Sequence, residues 1–286
     1  SPMKLTLECL PCLLRQSLEA TRLTTLDAGH EQAIMDAALA CLSDYKRYAT
    51  SPQLARAIHR RIQQLTGSAD PYREMKLTHI QAALDLYDQA RARVMASDNP
   101  LLTAVKAAAA GNLIDAAIYA DIEIGQAILD RLDQPMAICD LDALSERLRD
   151  AKTILIIGDN AGESVFDRLL AEQLHPAAVY YAVKSQPIIN DATLEDARLS
   201  GLESCTRLIE SGCDSPGTIL EDITPEFADL LWHADIVISK GQGNYEGLSD
   251  VPRDMFFLLK AKCPLVAGHF GVPLGSDIFR YQAKPA

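Results

Sequence analysis

The sequence predicts an α/β protein with a mostly parallel sheet and an all-helical N-terminal part. Residues 5–151 read as helix almost throughout. From Thr153 the rhythm changes to short apolar runs alternating with helical stretches, the pattern of a βαβ sheet. Within that half, the apolar run Thr153 to Ile157 breaks at Gly158 and resumes at helical spacing through Val165, Phe166, Leu169 and Leu170, which reads as a buried strand feeding a helix. The change of class places a boundary near residue 150 and divides the chain into a helical domain, 1–150, and an α/β domain, 151–286.

In the helical half, Ala33, Ile34, Ala37, Ala38, Cys41 and Leu42 recur at three and four, as an amphipathic helix requires. Ser51-Pro52, Asp70-Pro71 and Asn99-Pro100 each set a capping side chain before a proline at the first helical position, which predicts three helix starts. Ala107 to Ala110, followed by Gly111-Asn112, predicts a helix closed by a glycine cap. Asp140 to Ala151 is a further short helix leading into Thr153. Strands are then predicted at 153–157, 178–183, 206–210, 235–239 and 264–267, with helices at 161–173, 192–200 and 224–232. Met255 to Leu259 is too short a run for periodicity to decide between strand and helix.

Composition narrows the function. Twenty-seven basic against 39 acidic residues give a net charge of −12, which argues against a nucleic-acid or anionic-membrane partner. Any phosphate must therefore be handled locally. No apolar run approaches the roughly 18 residues of a membrane helix, and no basic segment with a signal-like apolar core opens the chain, so a cytoplasmic protein is expected. Seven cysteines, an odd number spread along a long chain, imply reduced thiols rather than a disulfide framework. Cys9-Leu-Pro-Cys12 is the one spaced pair; no second pair or paired histidines complete a zinc site, and the expectation is two buried thiols acting as small apolar groups. The six histidines share no ligand spacing.

In open α/β sheets the ligand crevice lies outside the carboxyl ends of the strands. After Ile157 come Asp159 and Asn160; after Val183 come Lys184 and then Asn190-Asp191; after Ile238 comes Ser239-Lys-Gly-Gln-Gly-Asn244. A parallel sheet brings these loops to one edge, converging carboxylates, amides and a lysine, which is what a divalent metal plus a phosphate needs. The turn Gly158-Asp-Asn-Ala-Gly-Glu163 lacks the second glycine of a dinucleotide fingerprint. Its bare carboxylate would repel phosphate unless it held a cation that recruits phosphate in turn. Structural readings stand beside these: Asn160 with Glu163 as a capping box, Asp191 capping a helix from Ala192, and Gly241 with Gly243 making a turn. No G-x-S-x-G and no P-loop appears.

Six ordered motifs span the chain: Cys9-Leu-Pro-Cys12, Asp70-Pro-Tyr-Arg-Glu-Met-Lys76, Ala110-Gly-Asn-Leu-Ile-Asp115, Gly158-Asp-Asn-Ala-Gly-Glu163, Pro187-Ile-Ile-Asn-Asp-Ala-Thr193 and Ser239-Lys-Gly-Gln-Gly-Asn-Tyr-Glu246. With these the chain resembles the metal-dependent damage-control phosphatases, also known as the domain of unknown function 89 family, and the CxxC resembles its prokaryotic branch. The resemblance implies a three-layer α/β/α core and a divalent metal, Mg, Mn, Co or Ni, held by Asp159, Asn160 and Asp191. It implies a catalytic role for Asp159, Asp191 and Lys240, with Lys240 on the phosphate, aided by amides opening a helix at Ala161. Asn112, Glu163 and Asn244 become substrate contacts. Lys184 stands where many relatives have arginine. The implied activity is hydrolysis of phosphate monoesters of small metabolites, either sugar phosphates or damaged or surplus cofactor intermediates. A carboxyl methyltransferase using S-adenosylmethionine, which Gly158 to Glu163 fits poorly, and a non-catalytic metal-binding module are the alternatives.

Overall fold

The computed structural model describes residues 4–23, 28–116 and 122–284. Helices α1 (Cys9–Leu23), α2 (Ala28–Ser43) and α3 (Ser51–Thr66) pack around Leu13, Ala20, Ile34, Leu54, Ile58 and Ile62. They are followed by α4 (Arg73–Ala96), α5 (Pro100–Ala110) and α6 (Ile122–Arg131). The remainder alternates: β1 (Ile138–Cys139), α7 (Leu141–Leu148), β2 (Thr153–Ile157), α8 (Ser164–Glu172), β3 (Ala178–Val183), α9 (Leu194–Leu199), β4 (Arg207–Glu210), α10 (Pro225–His233), β5 (Ile236–Lys240), α11 (Gln242–Leu248), β6 (Met255–Lys260), α12 (Pro264–Phe270) and β7 (Asp277–Gln282).

The strands form one sheet in the order β1-β7-β6-β5-β2-β3-β4. β6, β5, β2, β3 and β4 run parallel, β7 is antiparallel to β6, and β1 is parallel to β7. The chain builds outward from β2 through β3 to β4, then returns to start β5 on the other side of β2. That reversal places the sheet's switch point, and hence its crevice, between β2 and β5.

Period-two alternation divides the apolar residues of β2 between two layers. Ile154 and Ile156 join Ile80, Val105, Phe166 and Leu170 on one face, whereas Leu155 and Ile157 join Phe227, Leu231, Leu248 and Val266 on the other. The change of core does not fall at residue 150: α4 and α5 share the sheet's core, while α1 to α3 have their own. This outer helical layer is bolted over the sheet edge. Arg56 pairs with Asp214 at 3.2 Å and also with Asp222, and Gln63 Nε2 donates to Pro187 O at 2.9 Å.

Several local expectations need correcting. The 264–267 stretch is helix α12, because Pro264 sits at its first position after an extended Cys263, and left-handed Gly271 (φ 66°) closes it. Thr50 caps α3, accepting from Gln53 N at 3.4 Å; Ser51 is already helical. Asp70 caps no helix: α4 begins at Arg73, and the Asp70 carboxylate pairs with buried Lys76 at 2.8 Å. Asn99 does cap α5, through Leu102 N at 3.1 Å. Gly111 is not left-handed (φ −54°); a Cβ there would lie 3.0 Å from both Glu163 Cβ and Phe166 Cδ2, so close packing explains it.

Candidate active site

At the switch point the loops after β2 and β3 are zipped together. Ala161 N donates to Asn190 O at 2.8 Å, Ala192 N donates to Asp159 O at 2.8 Å, and Asn160 and Asp191 form an isolated antiparallel bridge. This brings Asp159, Asn160 and Asp191 to one wall of a cleft of about 270 Å³. The other walls are Gln242, Gly243 and Glu246 after β5, Lys262 and Cys263 after β6, and Cys12, Gln16, Ser51 and Ala55 from α1 and α3.

The capping alternatives do not hold. Helix α8 starts at Ser164, four residues beyond Asn160, and Glu163 at its N-cap makes no capping bond. The Ala161 amide, expected at a helix start, is spent on Asn190. Helix α9 starts at Leu194, and Asp196 accepts from Thr193 N at 2.9 Å, so Asp191 is not its cap. Gly241 does turn the chain, at φ 88°, and a Cβ there would fall 2.0 Å from Asp159 Oδ2. Glycine is required because the backbone passes directly against that carboxylate.

Burial raises the Asp159 carboxyl well above the usual carboxylate range, and the neighbouring Asp191 and Glu163 charges push the same way, against weaker pulls from Lys262 and Lys184. Asp191 is 4% exposed; Lys184 Nζ stands 3.9 Å from its Oδ2 and donates to Gly217 O at 2.9 Å. Among the described residues no three His, Cys, Asp or Glu side chains gather in metal-binding geometry, so a hard-oxygen site on this wall would draw on an amide oxygen beside the two carboxylates. Asn160 supplies one, and that hard-oxygen set fits a divalent cation.

The other expected site residues lie beneath the cleft rather than in it. Lys240, 2% exposed, donates to Asp167 Oδ1 at 2.6 Å, Glu163 Oε1 at 3.1 Å and Ala108 O at 3.2 Å, which uses its three N–H groups. Burial works against its charge, but Asp167 and Glu163 more than restore it and hold the ammonium charged. Asp167 is itself pushed up to about 6 by burial, opposed by Lys240 and by the Tyr181 hydroxyl at 2.6 Å. Glu163 Oε2 accepts from Asn112 Nδ2 at 3.0 Å, and these two with Lys240 border a separate, much smaller recess. Asn244 is fully buried; its amide donates to Gly158 O at 3.0 Å and Lys240 O at 2.8 Å, and its oxygen accepts from Thr218. Lys240 and Asn244 are saturated by the protein.

Cys12 is exposed and lines the cleft, and Cys9 is half-buried at the start of α1, so the expected pair of buried thiols is not what forms. Glu246 and Lys262 were not anticipated. Burial pushes the Glu246 carboxyl up to about 7, opposed by Gln242, whose Nε2 donates to Glu246 Oε1 at 3.1 Å. The four-residue spacing of Gln242 and Glu246 on α11 was the available signal.

A doubly wound sheet with two buried carboxylates and an amide at its switch point defines a class: an α/β protein whose ligand crevice, at the carboxyl ends of its strands, is lined by hard-oxygen donors. Comparison makes this specific. Residues 5–278 match the family described as "Damage-control phosphatase ARMT1-like domain". The damage-control phosphatase PH1575 of Pyrococcus horikoshii is 35% identical over 96% of each chain, and a damage-control phosphatase of Archaeoglobus fulgidus is 32% identical over 96% of this chain and 98% of that one. The crystal structure of the Pyrococcus horikoshii protein, described as a DUF89 family member, superposes with a TM-score of 0.88 at 34% identity, over 97% of this chain and 98% of that one. The chain belongs to the damage-control phosphatase family, whose enzymes are metal-dependent phosphatases.

Proposed function

We propose that this chain hydrolyses phosphate monoesters of small metabolites, with Asp159, Asn160 and Asp191 holding a Mg, Mn, Co or Ni ion. The observation that carries the reading is the buried Asp159 carboxyl set against Asp191: their mutual repulsion in a dry setting is what a dication relieves. When bound, the ion polarises a phosphoryl oxygen toward attack. Asp159 and Asp191 orient it, and the Asn160 amide completes the set without adding charge. Gly241 lets the β5 loop close against Asp159. Lys240, through Glu163 and Asp167, fixes the floor on which that loop rests. Glu246 faces the same cleft with a carboxyl that titrates near neutrality, suited to taking a proton from attacking water or returning one to the leaving alkoxide.

A sugar phosphate or a damaged or surplus cofactor intermediate suits the cleft's size and acidic surroundings better than a polymer. None of the described helices is long and apolar enough to cross a membrane, and the seven cysteines are free, which supports work on cytoplasmic metabolites. The methyltransferase alternative gains nothing from the β2–α8 turn. A Cβ on Gly162 would meet Ile114 Cγ2 at 2.6 Å and His79 Cβ at 2.8 Å, so that glycine serves packing rather than a cofactor. A phosphometabolite panel with each of the four metals, run alongside a chelated control, tests the proposal. Turnover that survives full chelation, or none with any metal, overturns it, and a kcat profile unchanged around pH 7 in Glu246→Gln removes the acid–base role.

A further inference from the structure

Among the described residues, one that is not glycine has a left-handed backbone: Ile189, at φ 48°. It lies two residues before Asp191, in a tight turn that Asp191 N closes by donating to Ile188 O at 3.1 Å. A turn with positive φ at this position ordinarily takes glycine, asparagine or aspartate. A β-branched residue there is strained, because its Cβ crowds the backbone carbonyl oxygen. Strain of this kind persists only where the surrounding structure over-determines it.

Two sets of contacts hold it. On the sheet side the turn is clasped to the loop after β2, through Ala161 N on Asn190 O and Ala192 N on Asp159 O. On the other side the outer helical layer seats the side chain. Of the partly buried apolar residues packed against the core of α1 to α3, the others all lie between Leu5 and Met75; among the described residues Ile189 alone comes from the sheet half. It borders a small recess beside His59, Ile62 and Tyr72, and it also borders the cleft beside Leu13 and Ala55. Gln63, on α3, grips the same loop at Pro187 O. The helical layer and the sheet have separate cores, so this side chain is where the packing of one meets the site loop of the other.

We propose that Ile189 is a positioning residue: anchored in the outer helical layer, it holds the loop after β3 in the strained turn that presents Asp191 to Asp159 and Asn160. Two carboxylates side by side repel when no ion lies between them, so a loop free to turn would spend part of its time with Asp191 drawn away. Metal binding would be weakened by that fraction. The anchor removes the cost by fixing the turn before an ion arrives. The inference rests on the metal reading of Asp159, Asn160 and Asp191 and assigns the cause of their pre-organisation.

The test is calorimetric titration of Mn into metal-free wild type, Ile189→Gly, Ile189→Asn and Ile189→Val, with hydrogen exchange of the Ala161 and Ala192 amides followed in the metal-free chains. Glycine takes the left-handed turn without strain but has no anchor, so Ile189→Gly should stay folded, bind Mn about 10-fold more weakly and exchange both amides about 10-fold faster. Ile189→Asn also tolerates the turn and lacks the apolar anchor, and it should behave as the glycine variant does. Ile189→Val keeps a branched anchor and should stay within about threefold of wild type in both measurements. A residue that only stabilised the fold would shift the melting temperature and leave the Mn affinity of the folded chain alone. Mn binding by Ile189→Gly or Ile189→Asn within about twofold of wild type overturns the proposal, as does wild-type exchange at both amides. A wild type that binds no Mn overturns the metal reading alone, and the exchange rates then decide whether Ile189 holds the two loops together.

Discussion

Asp159 concentrates the site's electrostatic cost in one side chain, so it is where the metal reading is most exposed to test. Asp159→Asn keeps the size and one oxygen but removes a formal charge from a site that must hold a dication, and it should nearly abolish hydrolysis and metal-induced stabilisation together. The metal-free variant should be no less stable than metal-free wild type, because one of two repelling buried carboxylates has gone. Melts with and without Mn, beside turnover, decide this; a variant that keeps both stabilisation and activity removes the metal from this strand end. Gly241→Ala tests the same carboxylate from the backbone side. Its Cβ would sit 2.0 Å from Asp159 Oδ2 at a φ of 88°, so it should cost about 1 to 3 kcal/mol of stability. It should also displace Asp159 enough to blunt the metal-induced melting shift, and an undiminished shift would show that the loop gives way harmlessly.

At the scale of elements, Lys240 links β5 to α8 and to the end of α5. Replacing it with methionine leaves Glu163 and Asp167 buried without their counter-ion, a loss of about 3 to 5 kcal/mol. Lys240→Met should therefore unfold at lower denaturant, and Glu163→Gln in the same chain should recover part of the difference. Undiminished stability with lost turnover would restore Lys240 to direct phosphate contact. Elements of this kind were unevenly legible in the sequence. β2 and β3 stood out because strands buried on both faces read as unbroken apolar runs between turn residues, and Asp159, Asn160 and Asp191 followed from their ends. β1 is two residues long, and in β7 Asp277, Arg280 and Gln282 leave only Ile278 and Phe279 as consecutive apolar residues, so neither produced a run. Reading 264–267 as strand hid the loop before it, and with that loop Lys262. The fate of Lys240 was illegible because its partners are 77 and 73 residues away in the chain, and only the fold brings an acid pair to it.

The whole molecule carries opposing pH dependences that metal should separate. His59, in the core of the outer helical layer and edge-on to Tyr72 at 6.0 Å, is pulled down to about 4 by burial. Its ordinary value is 6.5, so between these values the unfolded chain binds a proton that the folded chain refuses, and stability falls as pH is lowered through that window. The loss should total on the order of 3 kcal/mol by pH 4. Asp159, Asp167 and Glu246 act in the other sense: each is raised in the folded state, Asp167 to about 6 and Glu246 to about 7. Their contributions are present below the ordinary carboxyl range and are lost as pH rises through the folded values. The acid limb belongs to α3 and the alkaline limb largely to the cleft that α3 covers, with Ser51, Pro52 and Ala55 on its wall. Urea unfolding from pH 4 to 8 should therefore show stability falling toward both ends. His59→Phe should flatten the acid side, whatever its effect on the plateau. Saturating Mn should raise stability most at the alkaline end, where Asp159 is ionised, and should leave the acid limb in place. An acid slope unchanged in His59→Phe would mean that carboxylate protonation governs that limb. A Mn effect equal at both ends would mean that the ion binds away from these carboxylates.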